Sequence, residues 1–429
     1  MHSLVRLGFE HYLIAASIFL FAFAFIAARL RRILTPFHLC LFFFAAEILL
    51  AAVPLMRDDP YGRTHVEHPL GDTNIIVFGS ALSLSIASLF LRRPLDYDLE
   101  CYHIATRVPR RALMAALLLI TLVGSAYSYH ALGTFPIFAM AKQGLNYSEV
   151  FQGFVTFAGW GSARALAIWL ALEACVNRDR VTQFIAKKAD LILFTLAAVF
   201  LNVLDAQRNM LIIAVLLFLF GLSLRGVVKS RHYIIVSILV LAYFVVAANF
   251  RMSEDIRRSD VIATITGNEP LDNSIGHIVT YLEPNIHNLN NLISLKPART
   301  HGLVLAFQII PHKILDLFVL KPESSVELLT DEQLFAQPGL TFRTIYADLY
   351  RDFGAFGSLF IAFAVYCAAV YNFNRASVNP RNMLIYLLLA PGVFFFPFMN
   401  LMVGIPTILP LCLLFALRFV DDRGQPAHS

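Results

Sequence analysis

Arginine residues mark both edges of the long polar stretch in this chain, residues 249–354. Arg251 and Arg258 lie where the stretch begins, and Arg343 and Arg351 lie near its end. A guanidinium group stays charged and offers a planar fork of donors that matches phosphate oxygens. The spacing of seven residues places Arg251 and Arg258 on one face of a helix. This pattern predicts a binding site for an anionic substrate.

A structural alternative exists for the first edge. Glu254 and Asp255 lie three and four residues after Arg251 in the segment NFRMSEDIRRSD. Side chains at these spacings are neighbours on a helix, so the segment can neutralise its own charge in solvent.

The second edge carries the most regular pattern, GLTFRTIYADLYRDFGAFG. Arg343, Tyr346 and Tyr350 share one face of the predicted helix, which suits a phosphate beside a sugar ring. Asp348 and Arg351 fall on a second, charged face. The alternative is an interfacial belt of aromatic residues with local ion pairs.

The middle of the stretch reads as an amphipathic helix around the segment NSIGHIVTYLEPNIHNLNNLI. Its apolar residues recur at helical spacing, so we expect it to lie on the membrane or to cap a cavity. A histidine or a carboxylate can accept a hydroxyl proton near neutral pH. The segment supplies His277, Tyr281, Glu283 and His287. The alternative for each histidine is an ordinary surface position.

Arg208 lies in the tight turn LDAQRN between two apolar stretches. We expect it to bind an anion, because few basic residues lie on this side of the predicted topology. The alternatives are a side chain that extends to lipid headgroups, or an ion pair with Asp205.

Arg164 falls in the middle of an apolar stretch, where a charge costs at least ~2.5 kcal/mol on insertion scales. The preceding Gly153, Gly159 and Gly161 predict a break in the helix. A new helix beginning at Ser162 would aim backbone N–H groups at an anion. The alternative is a structural pair with the membrane-embedded Glu47.

The composition is that of a membrane protein: 58% of residues are hydrophobic, 15% are charged, and the mean hydropathy is +0.67. About eleven stretches approach the ~20 apolar residues that cross a bilayer, which predicts an all-α polytopic membrane protein. The predicted spans are 12–28, 36–56, 74–91, 112–131, 150–176, 190–204, 209–224, 233–248, 355–371, 383–398 and 403–419.

Lysine and arginine collect in alternate loops, which predicts an outer N-terminus and an inner C-terminus. Residues 1–248 would hold spans one to eight, and 249–354 would form a large outer loop. Residues 355–429 would hold the last three spans and the C-terminus. Asp96 and Asp98, in the motif DYD, are placed on the inner side, away from the other candidates. No zinc-type histidine spacing is present, so we expect neither a metal nor another cofactor.

In layout, the chain resembles the Wzy-type bacterial O-antigen and oligosaccharide repeat-unit polymerases. The stretches DAQRNMLI and TIYADLYRDFGAFG look like recurring segments of that family. The resemblance implies a GT-C-like fold in the bacterial inner membrane and metal-independent joining of undecaprenyl-pyrophosphate-linked units on the periplasmic side. It carries a role in substrate binding to Arg208, Arg343 and Arg351.

The implied partners are undecaprenyl-pyrophosphate-linked oligosaccharides and membrane lipids, with a chain-length regulator protein as a further partner and no nucleic acid. Three other readings stay open. An O-antigen ligase uses the same donor with lipid A core as acceptor. A transporter would move an anionic lipid-linked substrate. A metal-dependent sugar transferase would use Asp96 and Asp98.

Overall fold

The computed structural model is predominantly helical in the part of the chain that it describes. That part comprises residues 7–31, 33–53, 68–94, 97–143, 154–177, 181–205, 208–226, 228, 235, 238, 279, 282–296, 344–398 and 405–421.

Nine helices precede the long polar stretch in the described residues. They are α1 (Tyr12–Leu30), α2 (Pro36–Ala52), α3 (Gly71–Ser88), α4 (Arg110–Leu132), α5 (Pro136–Gln143), α6 (Phe154–Val176), α7 (Val181–Lys187), α8 (Ala189–Leu204) and α9 (Arg208–Leu224). The predicted spans one to seven fall on helices of this group. Of the predicted span 233–248, only Ile235 and Ile238 lie among the described residues.

Five further helices follow in the described residues. They are α10 (Pro284–Ser294), α11 (Ile345–Arg375), α12 (Pro380–Phe395), α13 (Ile405–Ile408) and α14 (Cys412–Ala416). Two strands, β1 (Tyr102–Thr106) and β2 (Leu417–Asp421), form an antiparallel pair.

Four described helices are long and apolar enough to cross a membrane: Phe9–Leu30, Arg110–Ala139, Val155–Val176 and Ile345–Arg375. Five shorter apolar helices accompany them. These lengths and compositions are those of a membrane protein.

Helix α6 is the centre of the bundle. Its side chains from 159 to 176 are all buried, and it packs against α4, α8, α9, α12 and α13. Because none of its faces is exposed between 159 and 176, α6 lies inside the bundle.

The predicted break before Arg164 is wrong, because α6 runs without interruption from Phe154 to Val176. Gly159 faces Gly124 of α4, and a Cβ placed on Gly124 would lie 3.1 Å from the Gly159 Cα atom. The absent side chains therefore allow α4 and α6 to approach closely. Gly153 lies outside the described residues, and Gly161 is buried within the continuous helix.

The last predicted span, 403–419, is also partly wrong. Its apolar run is divided between α13, a single 3-10 turn and α14, and its end is the strand β2. Residues Leu417 to Asp421 pair with Tyr102 to Thr106 in register. The run LRFVD is compatible with a helix or a strand, and pairing with β1 selects the strand.

Polar contacts collect at two opposite ends of the helices. At one end, here called the basic end, Glu173 binds Arg110 and Lys188 at 2.8 Å each, and Arg225 binds Glu100. The strand pair β1–β2 joins two segments of the same end. All of these segments lie in or beside the alternate loops in which lysine and arginine collect.

The opposite end, here called the loop end, receives the described part of the long polar stretch. There the His287 ring lies 5.0 Å from the Phe9 ring, and Tyr350 donates a hydrogen bond to Asp72 at 2.8 Å. Helix α11 is interrupted at this end by Gly354, whose φ of 74° and ψ of −176° are outside the helical range. Glycine tolerates this conformation because it lacks a Cβ atom.

We expect Gly124→Ala to loosen the contact between α4 and α6. The new Cβ would lie 3.0 Å from the Val155 carbonyl oxygen, so the backbones must separate. Overpacking of this kind costs about 1–3 kcal/mol. The measurement is the thermal midpoint of the purified protein in detergent. Gly71→Ala is the control, because no atom lies within 4 Å of its new Cβ; equal midpoints for the two variants would contradict the account.

Candidate functional site

Helix α10, from the middle of the long polar stretch, is packed inside the bundle. It contacts α2, α3 and α11, and its buried residues are Pro284, Asn285, Ile286, Asn288, Leu289, Asn290, Asn291, Leu292 and Ile293. The sequence predicts a helix lying on the membrane or capping a cavity. The first of these is wrong, because the polar face of α10 is buried against other helices instead of facing solvent.

Asn290 fixes the second half of α10 to the beginning of α3. Its side-chain oxygen accepts hydrogen bonds from the Leu70 backbone N–H at 2.9 Å and from the Thr73 hydroxyl at 2.6 Å. Its amide donates to the His68 carbonyl at 3.3 Å. A buried amide that makes several hydrogen bonds does not carry the cost in folding free energy of one that makes none.

Asn285 fixes the first half of α10 to α2. Its amide donates a hydrogen bond of 2.6 Å to Glu47 Oε1. Glu47 is fully buried, and its Oε2 has no hydrogen-bond partner. An unpartnered buried carboxyl oxygen is costly, so its retention favours a functional role or a bound group.

The structural pair Glu47–Arg164 does not form. Arg164 lies in the middle of α6 and donates to the Thr407 hydroxyl at 2.9 Å, whereas Glu47 binds Asn285. The two side chains belong to different groups of contacts, because α10 binds α2 while the segmented helix α13 packs against α6. Arg164 therefore occupies a second polar position, at mid-depth.

The first part of α11 is buried on all its faces. Tyr346, Asp348, Tyr350, Arg351 and Asp352 are each at most 7% exposed. None of the three charged side chains is without a partner. The expected charged face is thus enclosed in protein instead of being solvated.

The depth of this segment follows from its contacts. The Tyr346 ring lies 6.0 Å from the Phe44 ring in the middle of α2, and the Ile345 N–H donates to the Phe396 carbonyl at 2.9 Å. Tyr350, one turn later, reaches Asp72 in the first turn of α3. The segment therefore begins inside the bundle and approaches the loop end where Gly354 interrupts the helix.

Six predicted site residues lie on, or directly before, two helices that pack together. These residues are Glu283, His287, Tyr346, Asp348, Tyr350 and Arg351. Arg164 is not on either of these helices. Arg208 is the first residue of α9, and its side chain is not described. His277, Tyr281, Arg251, Arg258 and Arg343 lie outside the described residues.

Several residues of this end are not predicted from the sequence. Asp72 binds Tyr350, and Asn285 and Asn290 hold α10 in place. The acidic residue in GDTN, at the start of a predicted helix, was a usable signal. The buried asparagines gave none, because an NxxNLNN pattern is equally typical of an exposed polar face.

Asp205 is a further missed residue. Its Oδ2 accepts a 2.6 Å hydrogen bond from the Ser125 hydroxyl of α4, and its Oδ1 has no hydrogen-bond partner. One alternative drawn from the sequence is an ion pair between Asp205 and Arg208, three residues later. The observed partner is 80 residues earlier in the chain.

The charge balance of the loop end bears on cofactors. In the described part, the carboxyl groups of this end are Glu10, Glu47, Asp72, Asp205, Glu283, Asp348 and Asp352, and Arg351 is a buried cation of the same end. The described residues contain no group of three or more His, Cys, Asp or Glu side chains that could hold a metal ion. Asp98 lies at the basic end, where its N–H binds the Ser377 carbonyl, and Asp96 lies outside the described residues.

We expect Asn285→Ala to destabilise the protein, because it leaves both oxygens of Glu47 without a donor. The penalty for such a buried group is about 1–3 kcal/mol. Glu47→Gln should be close to neutral, because its amide oxygen still accepts from Asn285. Thermal midpoints in detergent test this contrast, and an Asn285→Ala midpoint equal to that of Glu47→Gln would contradict it.

No family model, no curated protein and no solved structure matches this chain.

Proposed function

We propose that this protein is a membrane glycosyltransferase that joins undecaprenyl-pyrophosphate-linked oligosaccharide units at the outer face of the bacterial inner membrane. The supporting observation is the set of ionisable side chains buried at the loop end. Glu283, Asp348 and Arg351 lie on two packed helices and are at most 7% exposed. Charged side chains are rarely buried without a function in such proteins.

In this proposal the basic end faces the cytoplasm, the loop end faces the periplasm, and the helices form a GT-C-like bundle. The N-terminus is periplasmic, since Phe9 contacts His287 at the loop end. The C-terminal strand β2 pairs with β1 at the basic end. Lysine and arginine accumulate on the cytoplasmic side of membrane proteins, which supports this orientation.

The proposed reaction is displacement at the anomeric carbon of the donor sugar. A hydroxyl group of the acceptor sugar attacks, and the lipid pyrophosphate leaves with the bonding electrons. A guanidinium such as Arg351, held in a water-poor site, stabilises the growing charge, and one donor of this kind contributes about 3 kcal/mol in other enzymes. Glu283, His287 and Asp348 are the predicted candidates for receiving the hydroxyl proton.

The buried arginine at mid-depth favours a second candidate function, transport of an anionic lipid-linked substrate. Arg164 binds Thr407 of α13, which belongs to a segmented helix. Transporters place substrate sites beside interrupted helices near the middle of the membrane. Polymerisation is favoured here because the described ionisable cluster lies at one end of the bundle.

Removal of the Arg351 guanidinium should prevent polymerisation. We expect Arg351→Ala to lose about 100- to 1,000-fold in rate, because pyrophosphate departure loses a fixed donor. Cells should then accumulate single repeat units on lipid. Arg375→Ala is the matched control, since Arg375 is exposed at the basic end of the same helix, against Tyr371. Polymer of normal length in Arg351→Ala, at normal protein level, would remove Arg351 from the mechanism.

Purified protein in vesicles separates the candidate functions. With lipid-linked donor alone, a polymerase produces a ladder of products, whereas a ligase also requires lipid A core. A transporter moves the lipid to the other leaflet without forming a glycosidic bond. A ladder from donor alone is the expected result, and its absence in the presence of intact donor would contradict the proposed reaction.

A C-terminal reporter tests the orientation. We expect a fluorescent protein that folds only in the cytoplasm to be active when fused after 429, because β2 lies at the basic end. Alkaline phosphatase, which needs the periplasm, should be inactive at the same position. Active phosphatase would invert the proposed topology.

A further inference from the structure

The end of α8 is recessed from the end of α4. Helices α8 and α9 have 16 and 17 residues, whereas α4 has 23. Asp205, at the end of α8, binds Ser125 of α4. Ser125 lies seven residues before Leu132, where α4 ends, which corresponds to about 10 Å along a helix. Asp205 therefore lies below the rim formed by α4.

One oxygen of the Asp205 carboxyl group is fixed by a hydrogen bond, and the other has no hydrogen-bond partner. Oδ2 accepts the Ser125 hydroxyl hydrogen bond at 2.6 Å, and the residue is 1% exposed. Oδ1 is buried and has no hydrogen-bond partner. A buried acceptor without a donor costs stability, and such groups are concentrated where a ligand supplies the missing partner.

Among the described residues, few charged groups stand on the helices around Asp205. His130 is exposed near the end of α4, Arg164 lies at mid-depth on α6, and Lys142 belongs to α5. Arg208 begins α9, three residues after Asp205. Burial raises the pKa of Asp205 to about 6, and the hydrogen bond from Ser125 lowers it in part. A proton acceptor works best when its pKa lies near the working pH.

We propose that Asp205 is the proton acceptor of the transfer reaction and that Ser125 is its positioning residue. This rests on the proposed function. The acceptor hydroxyl donates its hydrogen bond to Asp205 Oδ1. Its oxygen forms the bond to the donor's anomeric carbon while the bond from that carbon to the pyrophosphate oxygen breaks. The hydroxyl proton moves to Oδ1, and water then receives it.

This assignment differs from the sequence prediction in a physical respect. Glu283 and Asp348 are buried and have partners. Asp205 combines an oxygen fixed by the Ser125 hydroxyl with a second, unpartnered oxygen.

The test is the rate of polymerisation by purified protein in vesicles supplied with lipid-linked donor, measured from pH 5 to 9. The wild-type rate should rise with pH through about 6, because only the deprotonated carboxylate accepts a proton. Asp205→Asn should lose about 100- to 10,000-fold at every pH. Its amide oxygen still accepts from Ser125, so its thermal midpoint should stay near that of wild type.

Ser125→Ala distinguishes catalysis from a structural role. Loss of the hydrogen bond removes the contact that lowers the pKa of Asp205, so the acidic limb of the rate profile should move to higher pH. The rate at high pH should be largely retained. Ser128→Ala is the control, because Ser128 is equally buried on the same helix and binds Thr156 instead.

Each outcome decides a separate claim. If wild type polymerises and Asp205→Asn matches it within about twofold, or the Ser125→Ala profile does not move, the assignment of Asp205 is overturned while the proposed function stands. If wild type forms no glycosidic bond at any pH, the proposed function fails and this assignment fails with it.

Discussion

The hydrogen bonds that hold α10 inside the bundle are the interactions on which the described site depends. Asn285 binds Glu47 and Asn290 binds the start of α3, so a polar segment is enclosed among apolar helices. A buried polar group must find its partners within the protein, because neither lipid nor a packed core supplies any. These contacts hold α10 in the bundle, where it packs against α11. Asp348 and Arg351 are buried in the first part of α11.

The same constraint explains the distribution of polar groups along the helices. At the basic end, Glu173 is satisfied by two cations, and the contact is structural. At the loop end, Glu47 and Asp205 each keep one buried oxygen without a hydrogen-bond partner. Buried carboxyl oxygens without a donor are typical of sites that await a ligand. The unpartnered oxygens of Glu47 and Asp205 are the physical basis for placing the chemistry at the loop end.

The sequence predicts the helices better than it predicts their neighbours. Hydrophobic length alone locates α1, α4 and α8 to within a few residues, because a membrane span is set by its own composition. Contacts between distant segments are invisible to that argument. From the sequence, Gly159 predicts a helix break, but in the structure it allows close packing against Gly124. Asp205 is a candidate partner of Arg208 in the sequence, but in the structure it binds Ser125, 80 residues earlier. The strand β2 likewise depends on a partner strand over three hundred residues earlier.

Photocrosslinking locates the donor most directly. An undecaprenyl-pyrophosphate-linked unit with a photoreactive group on the first isoprene would be bound to the purified protein, irradiated and mapped by mass spectrometry. The account predicts crosslinks to peptides from 199–212, 282–296 or 344–354, which lie at the loop end. Crosslinks confined to the basic end, in 93–111 or 417–421, would contradict it.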